Sequence, residues 1–195
     1  MSKIGIGALG LTLSLAVSTM SVAFAEDALN YVGASIGQTD FNNNNLGNIN
    51  PTSKDKKDTG WKLFLGFPLT QTFSLEAGYM DLGKESASAG ATAATANANV
   101  FNLVGIARFP VTDRISMFGK LGGYRWSMDS RIGTSTATDD GFNFTYGLGG
   151  QFSVNKDIGV RVEWEQFRKL GYKLTTGEAN VNFISVGLVY NFKFF

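Results

Sequence analysis

Glu163 and Glu165 stand two residues apart in a run, Ile158 to Phe167, in which apolar and polar residues alternate. In an extended chain that spacing puts both carboxylates on one face, and a carboxylate pair can serve acid–base chemistry. The rest of what such chemistry needs is missing. The 195 residues contain no His and no Cys, which excludes His-bearing triads, thiol nucleophiles, disulfides and ordinary zinc sites. No nucleophile stands in recognisable relation to the two acids. The same face logic, applied along the chain, gathers Lys62, Glu76, Arg108, Lys120, Arg161 and Glu163 on surfaces otherwise made of Gly, Ser, Thr and Asn. Opposite charges on such a face read as a polar interior repaired by ion pairs, since an unpaired buried charge costs several kcal/mol. No catalytic, cofactor-binding or metal site is expected, and the chain is not read as an enzyme. Seventeen Lys and Arg against sixteen Asp and Glu leave a net charge of +1, too weak a field to bind nucleic acid.

The elements that must carry these charges are strands. Gly is 24 of 195 residues and Phe 16, while Pro is only 3; abundant aromatics with few prolines point to β-structure. Residues 1–25 are set apart as an export leader: Lys3 is followed by an uncharged run from Ile4 that closes on Ala23-Phe24-Ala25, and cleavage is expected after Ala25. The alternative is an uncleaved membrane anchor. Gly5-Ile-Gly7-Ala-Leu-Gly10 matches a dinucleotide fingerprint by chance, because no strand precedes it.

A repeat organises the remainder, residues 26–195, which form one domain. Phe67-Pro-Leu-Thr-Gln-Thr-Phe73, Phe109-Pro-Val-Thr-Asp-Arg-Ile115 and Phe152-Ser-Val-Asn-Lys-Asp-Ile158 start 42 and 43 residues apart. Each puts turn-forming residues between alternating runs, the mark of a tight hairpin. Polar stretches at 39–58, 83–98, 127–140 and 168–181 supply long loops. Four loops and three turns make seven connections and eight strands, expected at 29–38, 59–68, 73–82, 99–109, 115–126, 141–153, 158–167 and 182–194. Two faces emerge from these strands. Val32, Ile36, Trp61, Leu63, Leu75, Tyr79, Phe101, Leu121, Leu148, Val162, Trp164 and Leu188 typify an apolar one. Gly33, Gly37, Gly66, Gly78, Asn102, Thr145, Gly149 and Gln151 join the charges on the other, with Phe64, Val104, Ile106 and Phe118 as exceptions. The interior of eight strands holds only side chains, and two dozen bulky apolar groups would overfill it, so the apolar face must point outward into lipid. Phe67, Phe73, Phe109, Phe152 and Phe192 beside the turns, and Trp61, Tyr79, Phe101 and Trp164 further up, read as two interfacial girdles roughly 15–20 Å apart. The expected fold is an all-β, eight-stranded antiparallel up-and-down transmembrane barrel.

Residues 29–194 resemble the eight-stranded membrane domain of the outer-membrane protein A family. The resemblance is carried by Tyr31-Val-Gly-Ala-Ser-Ile-Gly37, by Phe109-Pro-Val-Thr-Asp113 continuing through Lys120-Leu-Gly-Gly123 to Trp126, and by Arg161-Val-Glu-Trp164. It is carried too by a C-terminal assembly signal, Ser185-Val-Gly187-Leu-Val-Tyr190-Asn-Phe192. It implies residence in the bacterial outer membrane, contact with outer-membrane lipids including lipopolysaccharide, and delivery by periplasmic chaperones and the barrel-assembly machinery. A monomer with a structural or surface role and at most slight ion passage is expected. The alternatives are a surface-loop adhesin, resting on Asn42 to Asn45 with Lys54, Lys56 and Lys57 and on Asp139 with Asp140, and a narrow porin-like passive channel. The resemblance further implies an ion pair across the lumen between Glu76 and Arg161, with Lys120 and Glu163 able to form a second. The family's remaining gating partners, a Lys on the fourth strand and a Glu on the sixth, are Ile106 and Gln151 here, which argues against a switchable gate.

Overall fold

The computed structural model describes residues 29–42, 53–55, 57–89, 92–132, 135–170 and 179–193. The expected leader, residues 1–25, lies outside the described residues, as do Asn43 to Asn45, Lys56 and the terminal Phe194 and Phe195.

Nine strands are present among the described residues: β1 (Asn30–Asn42), β2 (Ser53–Asp55), β3 (Lys57–Pro68), β4 (Phe73–Ala89), β5 (Thr92–Pro110), β6 (Ile115–Ile132), β7 (Ser135–Ser153), β8 (Ile158–Leu170) and β9 (Ala179–Phe192). All pairings are antiparallel, and the order β4-β3-β1-β9-β8-β7-β6-β5 closes by pairing β5 with β4. The three-residue β2 pairs only with the upper part of β4 and extends the line of β3, so the closed barrel has eight strands. Following the register round the wall from Phe109 through Met117, Gly150, Val162, Val186, Ile36, Trp61 and Asp81 leads back to β5 at Asn99, ten residues from the start. Eight strands with that stagger tilt by about 40° and enclose a backbone radius of about 8 Å, room for side chains and little else.

The three copies of the repeat close by one piece of chemistry. In each, the fourth residue caps the turn: Thr70 Oγ1 accepts from the amide of Phe73 at 2.9 Å, Thr112 Oγ1 from Ile115 at 3.0 Å and Asn155 Oδ1 from Ile158 at 2.7 Å. These side chains substitute for the backbone partners a tight turn lacks.

At the other end the strands run further than their composition suggests. β4 and β5 continue to Ala89 and Thr92, and β6 and β7 to Ile132 and Ser135, where loops were expected at 83–98 and 127–140. Ala and Asn are poor strand formers and only the scattered Thr residues favour a strand, but pairing with a neighbour already in register extends each hairpin. Gly83, at φ 78°, takes the left-handed conformation at the register shift between Asp81 and Lys84.

Outward positions are apolar from the turns upward: Leu148 is 63% exposed, Leu121 66% and Leu188 62%. About 20 Å higher, given the strand rise and tilt, a ring of Gln38, Thr59, Asp81, Asn99, Arg125, Gln166 and Asn182 replaces them on the outside. At the level of this ring and above it the two faces exchange character. Phe41, Met80, Leu82, Val100, Trp126, Val181 and Phe183 point inward and form one buried apolar cluster with Tyr124 and Phe167.

Candidate functional site

Below the apolar cluster the lumen is filled by charge. Lys62 on β3, Glu76 on β4, Lys120 on β6, and Arg161, Glu163 and Glu165 on β8 are all buried, none more than 4% exposed. Because the barrel is narrow, long side chains from opposite walls meet at its axis. Lys62 Nζ lies 2.7 Å from Glu163, 3.1 Å from Glu165 and 3.4 Å from Glu76. Lys120 Nζ repeats the pattern at 2.7, 3.0 and 3.6 Å. Arg161 donates to Glu76 Oε2 at 2.6 Å and, through Nε and Nη2, to Gln151 Oε1 at 3.4 and 3.3 Å. Three cations therefore face three carboxylates in one contiguous network, where opposite charges in low dielectric attract strongly.

Neutral donors complete it. Tyr31 OH donates to Glu76 Oε2 at 3.1 Å and Asn102 Nδ2 to Glu165 Oε1 at 2.8 Å, while Thr145 Oγ1, 3.4 Å from the same oxygen, lies nearer the Gln166 carbonyl at 3.0 Å. Aromatic rings cover the side toward the turns: the Arg161 guanidinium lies 4.5 Å from the Phe64 ring, 4.9 Å from Phe118 and 5.1 Å from Tyr31, within cation–π range. Inward glycines make room for these rings. A Cβ on Gly66 would overlap the Tyr31 ring, and one on Gly149 the Phe118 ring.

Five of the six charges singled out from sequence thus meet in one cluster. Arg108 does not join them: it stands nearer the turns, its guanidinium 5.4 Å from the Tyr31 ring. Glu165, which sequence reasoning treated only as half of an acid pair, is a central member, bound by both lysines. Its signal was the two-residue spacing from Glu163; its partners, 103 and 45 residues away, left none. With Glu163 and Glu165 both held by the same two ammonium groups, the pair is occupied structurally rather than free for acid–base exchange. Of the assembly-signal residues, Ser185 and Gly187 point inward, and Tyr190 and Phe192 point outward with their rings stacked at 6.4 Å. Asp140 pairs with Arg125 at 3.0 Å on the exposed outer wall.

The model of the OmpA-like transmembrane domain family matches residues 25–194. The chain belongs to that family. It is an outer-membrane β-barrel. Outer membrane protein A of Klebsiella aerogenes is 26% identical over 193 residues, covering 95% of this chain and 55% of that protein; the chain spans about half the length of the curated relatives it matches. Among solved structures, OprG from Pseudomonas aeruginosa superposes with a TM-score of 0.63 at 11% identity, covering 87% of this chain and 99% of that one. Ail, the attachment invasion locus protein of Yersinia pestis, solved with the heparin analogue sucrose octasulfate, gives 0.57 at 12% identity over 85% and 99%. These two likenesses are of fold. In this chain the inward Glu76 and Arg161 are joined at 2.6 Å, while Ile106 is packed with Val104 and Phe118 and Gln151 accepts from Arg161.

Proposed function

We propose that this OmpA-like barrel is a monomeric structural element of the outer membrane whose lumen is closed by its ion cluster, with ion passage slight at most. The observation that carries the reading is the filled cross-section: three cations and three carboxylates meet on the axis, the apolar cluster lies above them, and the rings of Tyr31, Phe64 and Phe118 lie below. The network is a lock on strand register and a plug. The outward apolar band meets outer-membrane lipids, including lipopolysaccharide on the side of the polar ring. Ser185, Gly187, Tyr190 and Phe192 serve recognition by the assembly machinery after chaperoned export directed by residues 1–25, and the short turns face the periplasm. Conductance of the full-length barrel in planar bilayers tests the reading: rare, small events are expected, and steady ohmic current through single molecules would reject it.

A second reading, a binding role for the long-loop end, is supported by the hairpins of β4–β5 and β6–β7, which carry the wall well above the polar ring. Adherence of cells producing the barrel, compared with cells producing one whose hairpins are trimmed, separates that role from a purely structural one.

A further inference from the structure

Among the described residues below the apolar cluster, Arg108 is the one inward charge that the ion cluster leaves out. It lies two residues before the end of β5, and its amide donates to the Thr72 carbonyl of the first short turn at 2.7 Å, which fixes it at the turn end of the lumen. The cluster above it is balanced, three cations to three carboxylates, so Arg108 adds a positive charge at the turn end of the lumen that the cluster does not offset. No carboxylate among the described residues makes contact with it, and Glu76 acts on it only through space. Glu76 is committed to Arg161, Tyr31 and the lysines, and the oxygen of Gln151 is taken by Arg161. A second cation makes matters worse: the Arg108 and Arg161 guanidinium carbons lie 5.4 and 5.1 Å from the same Tyr31 ring.

Stacking engages the flat face of a guanidinium and leaves its edge. Nε and Nη2 of Arg108 are both without a hydrogen-bond partner. Those two N–H groups form the side-on fork whose spacing matches the paired oxygens of a carboxylate or phosphate. Both atoms are covered while the side chain as a whole is only partly buried, so binding requires the guanidinium to turn off the ring and bring the fork to the mouth. We propose that Arg108 is the recognition group of an oxyanion site at the turn end of the lumen, taking a phosphate or carboxylate group either from solution or from a lipid headgroup. The site goes beyond the structural role proposed above and stands whichever side of the membrane the turns face.

The test uses the full chain with 15N-labelled arginine, refolded in a phosphate-free nonionic detergent and titrated with inorganic phosphate at constant ionic strength. The Arg108 Nε–Hε signal, assigned by its loss in Arg108→Lys, is expected to move saturably while that of Arg161 moves little. The unfolding midpoint is expected to rise saturably in the native chain and to stay flat in Arg108→Gln. Arg108→Lys keeps the charge but loses the fork, so it should need about tenfold more phosphate, the loss of one charge-assisted hydrogen bond; it also stands in for the Gln variant if that does not fold. In nanodiscs, a signal already shifted by phosphatidylglycerol but not by an uncharged galactolipid assigns the anion to a headgroup. A shift only on adding inorganic phosphate assigns it to solution. No shift in any arm, or an equal rise in midpoint in the native chain and Arg108→Gln, would overturn the proposal.

Discussion

Removing Glu76 and Arg161 singly and together tests whether the lumen is a balanced network or a set of separately solvated charges. Glu76 takes a 2.6 Å bond from Arg161 and a 3.1 Å bond from Tyr31, with the two lysine ammonium groups at 3.4 and 3.6 Å. Glu76→Gln leaves three cations around two carboxylates, and Arg161→Met leaves three carboxylates around two ammonium groups. Each strands a buried charge and is expected to cost about 3–5 kcal/mol. The double variant keeps Lys62 and Lys120 facing Glu163 and Glu165, two against two at 2.7 to 3.1 Å, so its loss should be smaller than either single loss. A coupling energy of at least about 3 kcal/mol follows, well outside the ~0.5 kcal/mol scatter of independent sites. Urea unfolding in liposomes, followed by heat-modifiable migration on gels, measures all four corners of the cycle. Additive losses would refute the reasoning, because they would mean that water, not the opposite charge, solvates each group.

Substitutions on either face of the wall should cost stability, and for a different reason on each. Leu148→Arg, on the lipid face, is expected to cost about 2–4 kcal/mol, and Phe167→Ala, which empties the space against the Tyr124 ring 5.2 Å away, about 3–5 kcal/mol; the same liposome unfolding reports both. Replacing residues 86–95 by a tight turn should shift stability by no more than about 0.5 kcal/mol, since the β4–β5 hairpin tip stands above the buried cluster; a loss comparable to that of Phe167→Ala would place part of the core in the hairpin. Single cysteines at Asp113 and Asn155 should resist an impermeant maleimide on intact cells while one at the exposed Lys57 reacts, and the reverse pattern would invert the orientation.

What the sequence discloses follows from the reach of each interaction. Alternation has a period of two and needs no knowledge of neighbours, so the assignment of Leu63, Leu148 and Leu188 to one face and Lys62, Glu163 and Ser185 to the other is visible in the chain. The turns are local too: Thr70, Thr112 and Asn155 each act within three residues. Partnerships across the lumen are not local. Lys62 meets Glu163 across 101 residues, and only the stagger of ten residues brings them level. The apolar cluster escaped reading for a different reason. Gln38, Asp40, Asp81, Asn99 and Asn182 look like the onset of loops, and the inward Phe41, Leu82, Val100 and Val181 beside them look like stray hydrophobics unless the strands are known to continue past the membrane surface.

That exchange of faces explains how one narrow wall satisfies two solvents. Within the lipid band the outside must be apolar, so the polar residues of each strand turn inward, where they are tolerable only as a paired cluster. Past the polar ring the outside meets water, the constraint reverses, and the same alternation now drives Phe41, Trp126 and Phe167 into the lumen, as in a soluble barrel. The two halves support each other. The apolar cluster shields the ion pairs from water on one side, as the rings of Tyr31, Phe64 and Phe118 do on the other, keeping the local dielectric low and the Coulomb attraction strong. An ion crossing from the long-loop end would have to shed its hydration among buried Trp, Phe, Leu and Met side chains before it met a charge that could replace it. The apolar cluster therefore stacks a second barrier on the ion plug, and the closed lumen proposed above rests on the two together.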